Sequence, residues 1–222
     1  MTPPRIHPTA LVEAGVDIGA DTAIWDSVHL RAPTRIGREC IIGEKTYVAY
    51  GVAIGDRVKI NAQVYVCTGV TIEDRVMIAA GVIFTNDRYP RAFDPDSGAL
   101  ATSEPTDDTL RTTVRAGATI GAGALIGPGL EIGSYAMVGM GAVVVADVPA
   151  HGLVYGNPAR LRGFVCVCGT PLAAAPHAAE RLGCPRCGRA FVRQRHDGVI
   201  HLSGGVWPER AGQDGARASV RR

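Results

Sequence analysis

Hydrophobic residues recur at every sixth position of this chain, in fourteen consecutive repeats that begin at Ile6 and end at Phe84. The repeat positions are Ile6, Val12, Ile18, Ile24, Leu30, Ile36, Ile42, Val48, Ile54, Ile60, Val66, Ile72, Ile78 and Phe84. A period of six matches neither an α-helix, with its period of about 3.6, nor a simple strand, with its period of about 2. It is typical of a parallel β-helix, in which short strands meet at corners and each turn stacks on the previous one. The pattern therefore predicts an all-β fold.

The same period returns after an interruption, at Val114, Ile120, Ile126, Ile132, Val138 and Val144. Three hexapeptides make one triangular coil of about 18 residues, so the repeat positions predict about six to seven coils. A small or β-branched residue stands four places after the hydrophobic one, and we expect both to fill the interior of the prism. Glycine often follows the hydrophobic position, as at Gly19 and Gly43, and we expect it to relieve strain at the corners.

The first interruption covers residues 87–113, which are rich in Pro, Asp, Ser and Thr and show no period. Loops of this length are uncommon inside compact folds unless they have a function or are disordered. We expect an arm that leaves the prism and closes over a site shared with a neighbouring subunit. A tolerated surface insertion is the alternative.

The second interruption begins at residue 166 and contains two closely spaced pairs of cysteines, Cys166/Cys168 and Cys184/Cys187. The turn residues Asp197-Gly198 lie between two apolar runs and predict a β-hairpin. Paired cysteines next to a hairpin indicate a zinc-ribbon-like module over residues 166–202, with four thiolates around a structural Zn²⁺ ion. Unmetallated thiol pairs are the alternative. Residues 203–222 are rich in Gly, Arg and Ala, and we expect a disordered tail.

Charge and composition exclude several classes of protein. The 222 residues carry a formal net charge of only +2, and the basic residues are scattered rather than clustered as in a nucleic-acid-binding surface. No run of 18 apolar residues indicates a membrane span, and the N-terminus lacks the layout of a signal peptide. Six cysteines without an export signal favour free thiols or a metal site in the cytoplasm.

Outward-facing residues fall into columns, because residues about 18 apart stack on the same face. One column, Asp21, Glu39, Arg57 and Arg75, is fully charged with signs that can pair, so we expect that surface to face water. Another column contains Leu11, His29, Tyr47, Tyr65 and Ile83. Amphipathic rings suit a surface that is partly buried and partly wet, so we expect a subunit interface lining a ligand groove. A triangular prism with such a face predicts a homotrimer. Isolated exposed rings are the alternative.

Four stretches of the prism carry a family resemblance: Lys59–Val66, Phe84–Ala92 (FTNDRYPRA), Gly117–Gly133 and the closing GNPAR. Over residues 1–165 the chain resembles hexapeptide-repeat acyltransferases that use acetyl-CoA, in particular the sugar-nucleotide N-acetyltransferases. Two groups that it resembles act on UDP-2-acetamido-3-amino-2,3-dideoxyglucuronate and on dTDP-3-amino-3,6-dideoxyhexoses. The resemblance implies a left-handed β-helix, a homotrimer with the coenzyme between subunits, and acetylation of the amino group of a nucleotide-linked sugar.

The resemblance also implies roles for particular residues. Asn86 matches the asparagine that orients the reacting groups, while His29 and Asn61 match polar positions near the sugar. Asp87 is the ionisable neighbour of Asn86 inside the FTNDRYPRA motif, and we expect it to contact the substrate; a loop cap is the alternative. The coenzyme contacts are implied at Gly139, Gly141, Asn157 and Arg160, with Arg160 on a phosphate. Many related enzymes use a histidine base, but this chain has no histidine between His29 and His151. Direct attack of the amine on the thioester is therefore expected.

Three other functions are alternatives on the same prism fold. A γ-type carbonic anhydrase needs three histidines that bind zinc, which the histidine-free stretch excludes. Transfer to a different small-molecule acceptor and a non-catalytic scaffold remain open, because the fold does not fix the function.

Overall fold

A computed structural model describes residues 1–102, 104–106, 109–175, 178–196 and 199–206. The described chain is all-β, as predicted, and contains no helix long and apolar enough to cross a membrane. The prism consists of short strands, which in chain order are β1 (Arg5–Ile6), β2 (Leu11–Val12), β3 (Val16–Ile18), β4 (Ala23–Ile24), β5 (His29–Leu30), β6 (Thr34–Ile36), β7 (Ile41–Ile42), β8 (Tyr47–Val48), β9 (Val52–Ile54), β10 (Lys59–Ile60), β11 (Tyr65–Val66), β12 (Val70–Ile72), β13 (Met77–Ile78), β14 (Ile83–Phe84), β15 (Thr112–Val114), β16 (Thr119–Ile120), β17 (Leu125–Ile126), β18 (Glu131–Ile132), β19 (Met137–Val138) and β20 (Val143–Val144).

These strands form the three parallel faces of a β-helix. Every third strand belongs to the same face: β1, β4 and their successors form the first face, β2, β5 and theirs the second, and β3, β6 and theirs the third. Stacked partners are 18 residues apart, as in the pairing of Ile24 with Ile42 and of Ile42 with Ile60. The architecture is consistent with the left-handed hexapeptide helix that the resemblance implied. The first face holds eight parallel strands, because β21 (Gly152–Gly156) adds a layer that the regular repeat does not reveal.

The interior contains the residues that the repeat predicts. Leu30, Ile42, Ile60 and Phe84 are fully buried in one continuous hydrophobic core. The only strong departure among the described repeat positions is Ile6, which is 42% exposed because no coil lies below the first one. Burying about one aliphatic side chain stabilises each hexapeptide by about 1.5–3 kcal/mol.

Buried threonines at the corners bond to the next coil. The Thr22, Thr34 and Thr46 hydroxyls donate to backbone carbonyls 15 residues further on, at 2.8–3.0 Å. The Cys40 thiol occupies the equivalent position and donates to the Gly55 carbonyl at 3.1 Å. Each buried polar side chain therefore keeps a hydrogen bond, which avoids the cost of burying it unpaired.

The corner glycines act differently from the sequence-based expectation. Gly19 and Gly43 do not have the left-handed φ that glycine favours. A Cβ at Gly19 would lie 2.6 Å from the Gly37 carbonyl carbon, and one at Gly43 would lie 2.6 Å from that of Asn61. These glycines are therefore needed because adjacent coils touch there.

The left-handed backbone lies two positions beyond Gly19 and its counterparts, in the charged column. Asp21, Glu39, Arg57 and Arg75 have φ values of 58–60°. All four side chains are exposed, and Arg57 Nε donates to Glu39 Oε2 at 2.8 Å. The prediction of a water-facing column with pairing charges is confirmed.

The regular prism ends in a hairpin and a second, smaller sheet. β21 pairs antiparallel with β22 (Ala159–Phe164), and a four-stranded antiparallel sheet follows: β23 (Ala173–Ala175), β24 (Ala178–Gly183), β25 (Ala190–His196) and β26 (Val199–Val206). His196 pairs with Val199, as the hairpin prediction requires, although Asp197 and Gly198 themselves lie outside the described residues. β26 continues to Val206, beyond the boundary placed after residue 202, and the rest of the expected tail lies outside the described chain.

An aromatic stack joins the small sheet to the last coils of the prism. The His151 ring lies parallel to Tyr135 at 5.3 Å and edge-on to Phe191 at 5.3 Å. The ring Nδ1 is hydrogen-bonded to the Val165 carbonyl at 2.9 Å, and burial lowers the pKa of His151. The cysteine-rich module is thus packed against the prism by a neutral imidazole.

Candidate active site

A cleft of about 450 Å³ lies at the corner between the second and third faces, where the insertion leaves the prism. We call this edge the loop corner. The cleft is lined by Arg31, Tyr47, Ala49, Tyr50, Tyr65, Cys67, Thr68, Asn86, Asp87, Thr102, Glu104, Pro105, Thr106 and Thr109. The inner wall comes from second-face strands and the residues directly after them. The outer wall comes from residues 102–109 of the insertion, as far as these are described, so the insertion folds back over its own prism.

The inner wall is built by the 18-residue register. Tyr50, Thr68 and Asn86 are 18 residues apart and follow β8, β11 and β14 respectively. Arg31 follows β5, one layer before Tyr50. Since stacked strands lie about 4.8 Å apart, the lining runs about 14 Å along the prism axis from Arg31 to Asn86.

The aromatic column predicted on the second face forms a ladder of rings. His29 contacts Tyr47 edge-on with ring centroids 5.3 Å apart, and Tyr47 stacks on Tyr65 at 5.2 Å with an angle of 7° between the rings. Tyr65 and Ile83 remain 45% and 42% exposed in the single chain. The ladder thus extends from the cleft onto an open apolar surface.

Asn86 and Asp87 are brought together at the mouth of the insertion. The Asn86 Nδ2 group donates to the Thr68 carbonyl at 3.4 Å, and the Asn86 carbonyl accepts from the Leu110 amide at 3.2 Å. Asp87 Oδ1 accepts a 2.8 Å hydrogen bond from the Tyr89 amide, so this carboxylate caps the start of the loop while it lines the cleft.

The Cys67 thiol and the Tyr65 phenol on the inner wall are uncharged at neutral pH. Burial raises the pKa of Cys67 to about 11 and also raises the pKa of Tyr65. Cys67 is therefore neither a nucleophile nor a base here. Among the described lining residues, Arg31 carries a positive formal charge at one end of the cleft, and Asp87 and Glu104 carry negative charges toward the insertion.

The other residues implied by the resemblance lie elsewhere on the single chain. Asn61, Gly139 and Gly141 are at the corner between the first and second faces, which we call the far corner. Asn61 lines a separate hollow there, beside Trp25 and Glu44. A Cβ on Gly139 would come within 2.7 Å of the Tyr155 Cβ, so this glycine has a packing role of its own.

Two further implied coenzyme contacts belong to the terminal hairpin. Asn157 lies in the turn between β21 and β22, and Arg160 is exposed on β22, where it borders a hollow of about 160 Å³ with Asp147 and Pro149. Of the site residues expected from the sequence, Asn86 and Asp87 lie together at the loop corner. Asn61, Gly139 and Gly141 lie across the second face from them, at the far corner.

His29 lies beside the cleft and is held by a residue that the sequence analysis did not single out. Its Nε2 lies 3.3 Å from Glu13 Oε1, and the same oxygen accepts from Arg31 Nε at 3.1 Å. Arg31 and Tyr50 were also not singled out. The available signal was their position 18 or 36 residues before other lining residues.

A larger groove of about 640 Å³ lies on the third face. Its charged side chains pair with one another, as in Arg35 with Asp17 and Arg38 with Asp56. Gly19, Gly37 and Gly55 line it as well, and no described residue of the insertion does. The loop corner is therefore the better candidate for chemistry.

The four cysteines after the prism converge on one point. Their Sγ atoms all lie within 4.8 Å of one another, with Cys166–Cys187 and Cys168–Cys184 separations of 3.5 Å. Four sulfurs around a zinc ion at the usual bond length are roughly 3.8 Å apart. The donor set and its spacing therefore fit a closed four-thiolate site.

The two cysteine turns have the same hydrogen-bond pattern despite their different lengths. The Cys166 amide donates to the Thr170 carbonyl and the Gly169 amide to the Cys166 carbonyl, while Cys184 makes the matching bonds with Arg189 and Gly188. Both glycines have left-handed φ values, of 81° and 72°. The C-x-C turn is thus a C-x-x-C knuckle shortened by one residue.

Comparisons with known proteins agree with the repeat fold. The family described as "Bacterial transferase hexapeptide (six repeats)" matches residues 51–86, and "Hexapeptide repeat of succinyl-transferase" matches residues 33–67. Residues 33–86 of the chain therefore match the hexapeptide repeat of these transferase families.

A curated relative extends the match at the sequence level. It is the dTDP-3-amino-3,6-dideoxy-alpha-D-galactopyranose 3-N-acetyltransferase of Aneurinibacillus thermoaerophilus, which is 39% identical over 90 residues. The match covers 40% of this chain and 44% of the relative, so the chain spans less than half of its length. The expected resemblance to nucleotide-sugar 3-amino N-acetyltransferases is confirmed as a similarity over that stretch.

Solved structures with the same fold include a mutant of AntD, an N-acyltransferase from Bacillus cereus in complex with dTDP and coenzyme A. It has a TM-score of 0.56 and 21% identity, and the match covers 67% of this chain and 82% of AntD. PerB from Caulobacter crescentus, in complex with CoA and GDP-perosamine, has a TM-score of 0.42 and 26% identity over 73% of this chain and 58% of PerB.

Proposed function

We propose that this protein transfers an acetyl group from acetyl-CoA to the amino group of a nucleotide-linked amino sugar. The observation that carries the proposal is the loop-corner cleft, where Asn86 and Asp87 meet tyrosine rings under the insertion. The similarity of one stretch to a dTDP-amino-sugar N-acetyltransferase supports the same chemistry.

In the proposed reaction the sugar amine attacks the thioester carbonyl directly. A nitrogen–carbon bond forms, the carbon–sulfur bond breaks, and the proton lost by nitrogen ends on the departing CoA thiolate. Asn86 is too weak a base to remove that proton, but its Nδ2 group is held by Thr68, so Oδ1 can accept a hydrogen bond from the amine. Holding the reactants in line can lower the barrier by several kcal/mol, up to about 7–11 in the best cases.

Asp87 and His29 have supporting roles in this proposal. The Asp87 carboxylate gives the cleft a negative charge where the amine would enter. His29 steadies the aromatic ladder through its edge contact with Tyr47 and contributes to sugar binding.

The coenzyme residues require more than one subunit in the proposal. The loop corner and the far corner lie on opposite edges of the aromatic second face. In a cyclic homotrimer with head-to-tail contacts, one edge of each copy meets the other edge of the next. Asn61, Gly139 and Gly141 of one subunit could then face Asn86 of its neighbour, and acetyl-CoA would lie between them. Asn157 and Arg160 would contact its far end.

The four cysteines are proposed to hold one structural Zn²⁺ ion. Four protein thiolates leave no open coordination position, so the ion would stabilise the module rather than take part in acetyl transfer. The cysteines form no disulfide bonds among the described residues, and the proposed co-substrate is acetyl-CoA. For both reasons we propose the cytoplasm as the site of action.

A panel of acceptors tests the proposed activity. CoA thiol release is measured with acetyl-CoA and UDP- or dTDP-linked 3-amino sugars, with the free amino sugars and with amino acids as comparisons. Nucleotide-linked amino sugars should be the best substrates. Equal or faster release with acceptors that lack a nucleotide would contradict the proposal.

A further inference from the structure

Glu13 is held in one orientation by contacts to both of its carboxylate oxygens. Oε1 accepts from Arg31 Nε at 3.1 Å and lies 3.3 Å from His29 Nε2, while Oε2 accepts from the Ala32 amide at 3.0 Å. The hydrogen bond from the Ala32 backbone amide is the main reason why the pKa of Glu13 is lowered. The carboxylate is therefore ionised and fixed at the start of the loop corner.

Arg31 is oriented from three sides. Besides Glu13, it lies over the Tyr50 ring at 5.2 Å, and the Tyr47 side chain is the main cause of the raised pKa of its guanidinium. A guanidinium has five N–H donors in a planar fork, and Glu13 occupies only the Nε group. Because the Tyr47 side chain also engages the guanidinium, only part of the remaining fork is available to a ligand, and the Arg31 side chain is 40% exposed.

Such an arrangement contributes little to stability alone, because solvent screens ion pairs at this exposure. The position of Arg31 in the cleft indicates its role more directly. Among the described lining residues of the cleft, Arg31 is the only one with a positive charge. It lies three layers, about 14 Å, from Asn86, while Asp87 and Glu104 supply negative charge toward the insertion.

This charge order matches a ligand with an amine at one end and a phosphate at the other. We propose that Arg31 binds the diphosphate of the nucleotide-linked substrate and that Glu13 is the positioning residue that fixes the Arg31 fork. The inference rests on the proposed function, since it assumes that the cleft receives a nucleotide-linked amino sugar. The sugar ring would then occupy the layers between Arg31 and Asn86, beside Tyr50 and Thr68.

Binding of nucleotides without the sugar isolates the phosphate contact. Calorimetry compares UDP with uridine and dTDP with thymidine on the intact protein. The wild-type protein should prefer the diphosphates, and Arg31→Gln should reduce that preference about 10- to 100-fold, the range for a hydrogen bond to a charged group. Nucleoside affinity should stay within about twofold, because the base and ribose contacts remain. Arg31→Lys should recover only part of the preference, because lysine lacks the fork.

The positioning role of Glu13 is tested by coupling. Glu13→Gln should lower the diphosphate preference in the wild-type background and add less than about twofold in the Arg31→Gln background. A loss of the same size in both backgrounds would mean that Glu13 acts without Arg31. The control is Arg35→Gln, which breaks an ion pair with Asp17 on the third face and should change neither affinity.

The inference and the proposed function fail in different ways. If the wild-type protein acetylates nucleotide-linked amino sugars but Arg31→Gln keeps the diphosphate preference and the KM, the phosphate assignment is wrong and the activity stands. If the wild-type protein binds neither diphosphate and acetylates no nucleotide-linked sugar, both are wrong. Thermal unfolding of each variant separates a lost contact from a lost fold.

Discussion

Asn86 is the residue on which the proposed chemistry depends most. Its amide is oriented by the Thr68 carbonyl and sits where the coil opens into the insertion. Asn86→Ala should lower kcat about 100-fold, a typical cost of losing one positioning or polarising hydrogen bond. The KM for acetyl-CoA should change far less, because the coenzyme contacts are proposed at the far corner and terminal hairpin. Steady-state kinetics with the best acceptor measure both, and near-normal turnover would remove Asn86 from the mechanism.

His29 is expected to affect binding rather than turnover. Its ring packs on Tyr47 and contacts Glu13, and it lies beside the cleft lining rather than within it. His29→Ala should therefore mostly raise the KM for the sugar acceptor and leave kcat within about threefold, since the lost contact stabilises the bound substrate and the transition state equally. Loss of turnover with unchanged acceptor binding would instead make His29 the general base, and the direct-attack mechanism would have to be abandoned.

Single residues show what the sequence could and could not predict about the site. Asn86 and Asp87 were found because they belong to a contiguous motif. Arg31 and Tyr50 belong to no motif, and only the register brings them to the cleft. The role of Glu13 depends on side-chain directions at one corner, which a period of six does not specify.

At the level of the coil, the repeat predicted the fold because one residue per hexapeptide must fill a triangular interior. It did not explain the corner glycines, because the sequence does not show how closely adjacent backbones approach. Nor did it count the last layer, which is formed by β21 after the six-residue spacing has ended.

The close approach at the corners leads to a stability prediction. Gly43→Ala places a methyl group 2.6 Å from the Asn61 carbonyl carbon, so neighbouring coils must move apart. We expect a loss of about 1–3 kcal/mol in the free energy of unfolding, the usual cost of overpacking. Gly163→Ala is the control, because its methyl group would meet nothing within 4 Å. Denaturant titration of both variants gives the comparison, and equal stabilities would show that the coils tolerate the added methyl group.

The paired cysteine turns predict a metal content. Purified protein should contain about one zinc per chain, and Cys184→Ser should release it while the prism still unfolds cooperatively, because the prism core is separate from the cysteine cluster. Cys40→Ser is the matched control, since Cys40 is buried in the prism and should not affect zinc content. Metal analysis and thermal unfolding provide the data. A native protein without metal would contradict the structural role.

At the scale of the whole molecule, the exposed second face predicts self-association. Sedimentation at micromolar concentration should show a trimer. Ile83→Asp should weaken it, because a charge would be buried in the interface. Thr71→Asp, exposed on the third face, should leave the trimer intact. A monomeric wild-type protein would contradict both the interface and the site shared between subunits.

In the proposed reaction the loop-corner cleft transfers the acetyl group of acetyl-CoA to a sugar amine and releases CoA. The most direct test of this transfer is the stoichiometry of one reaction, with released thiol and acetylated sugar measured in the same samples by thiol titration and NMR. One CoA thiol should be released for each acetyl group found on the sugar nitrogen, and no thiol above background should be released without the acceptor. Acetyl groups on a sugar hydroxyl, or thiol release that does not depend on the amino sugar, would contradict it.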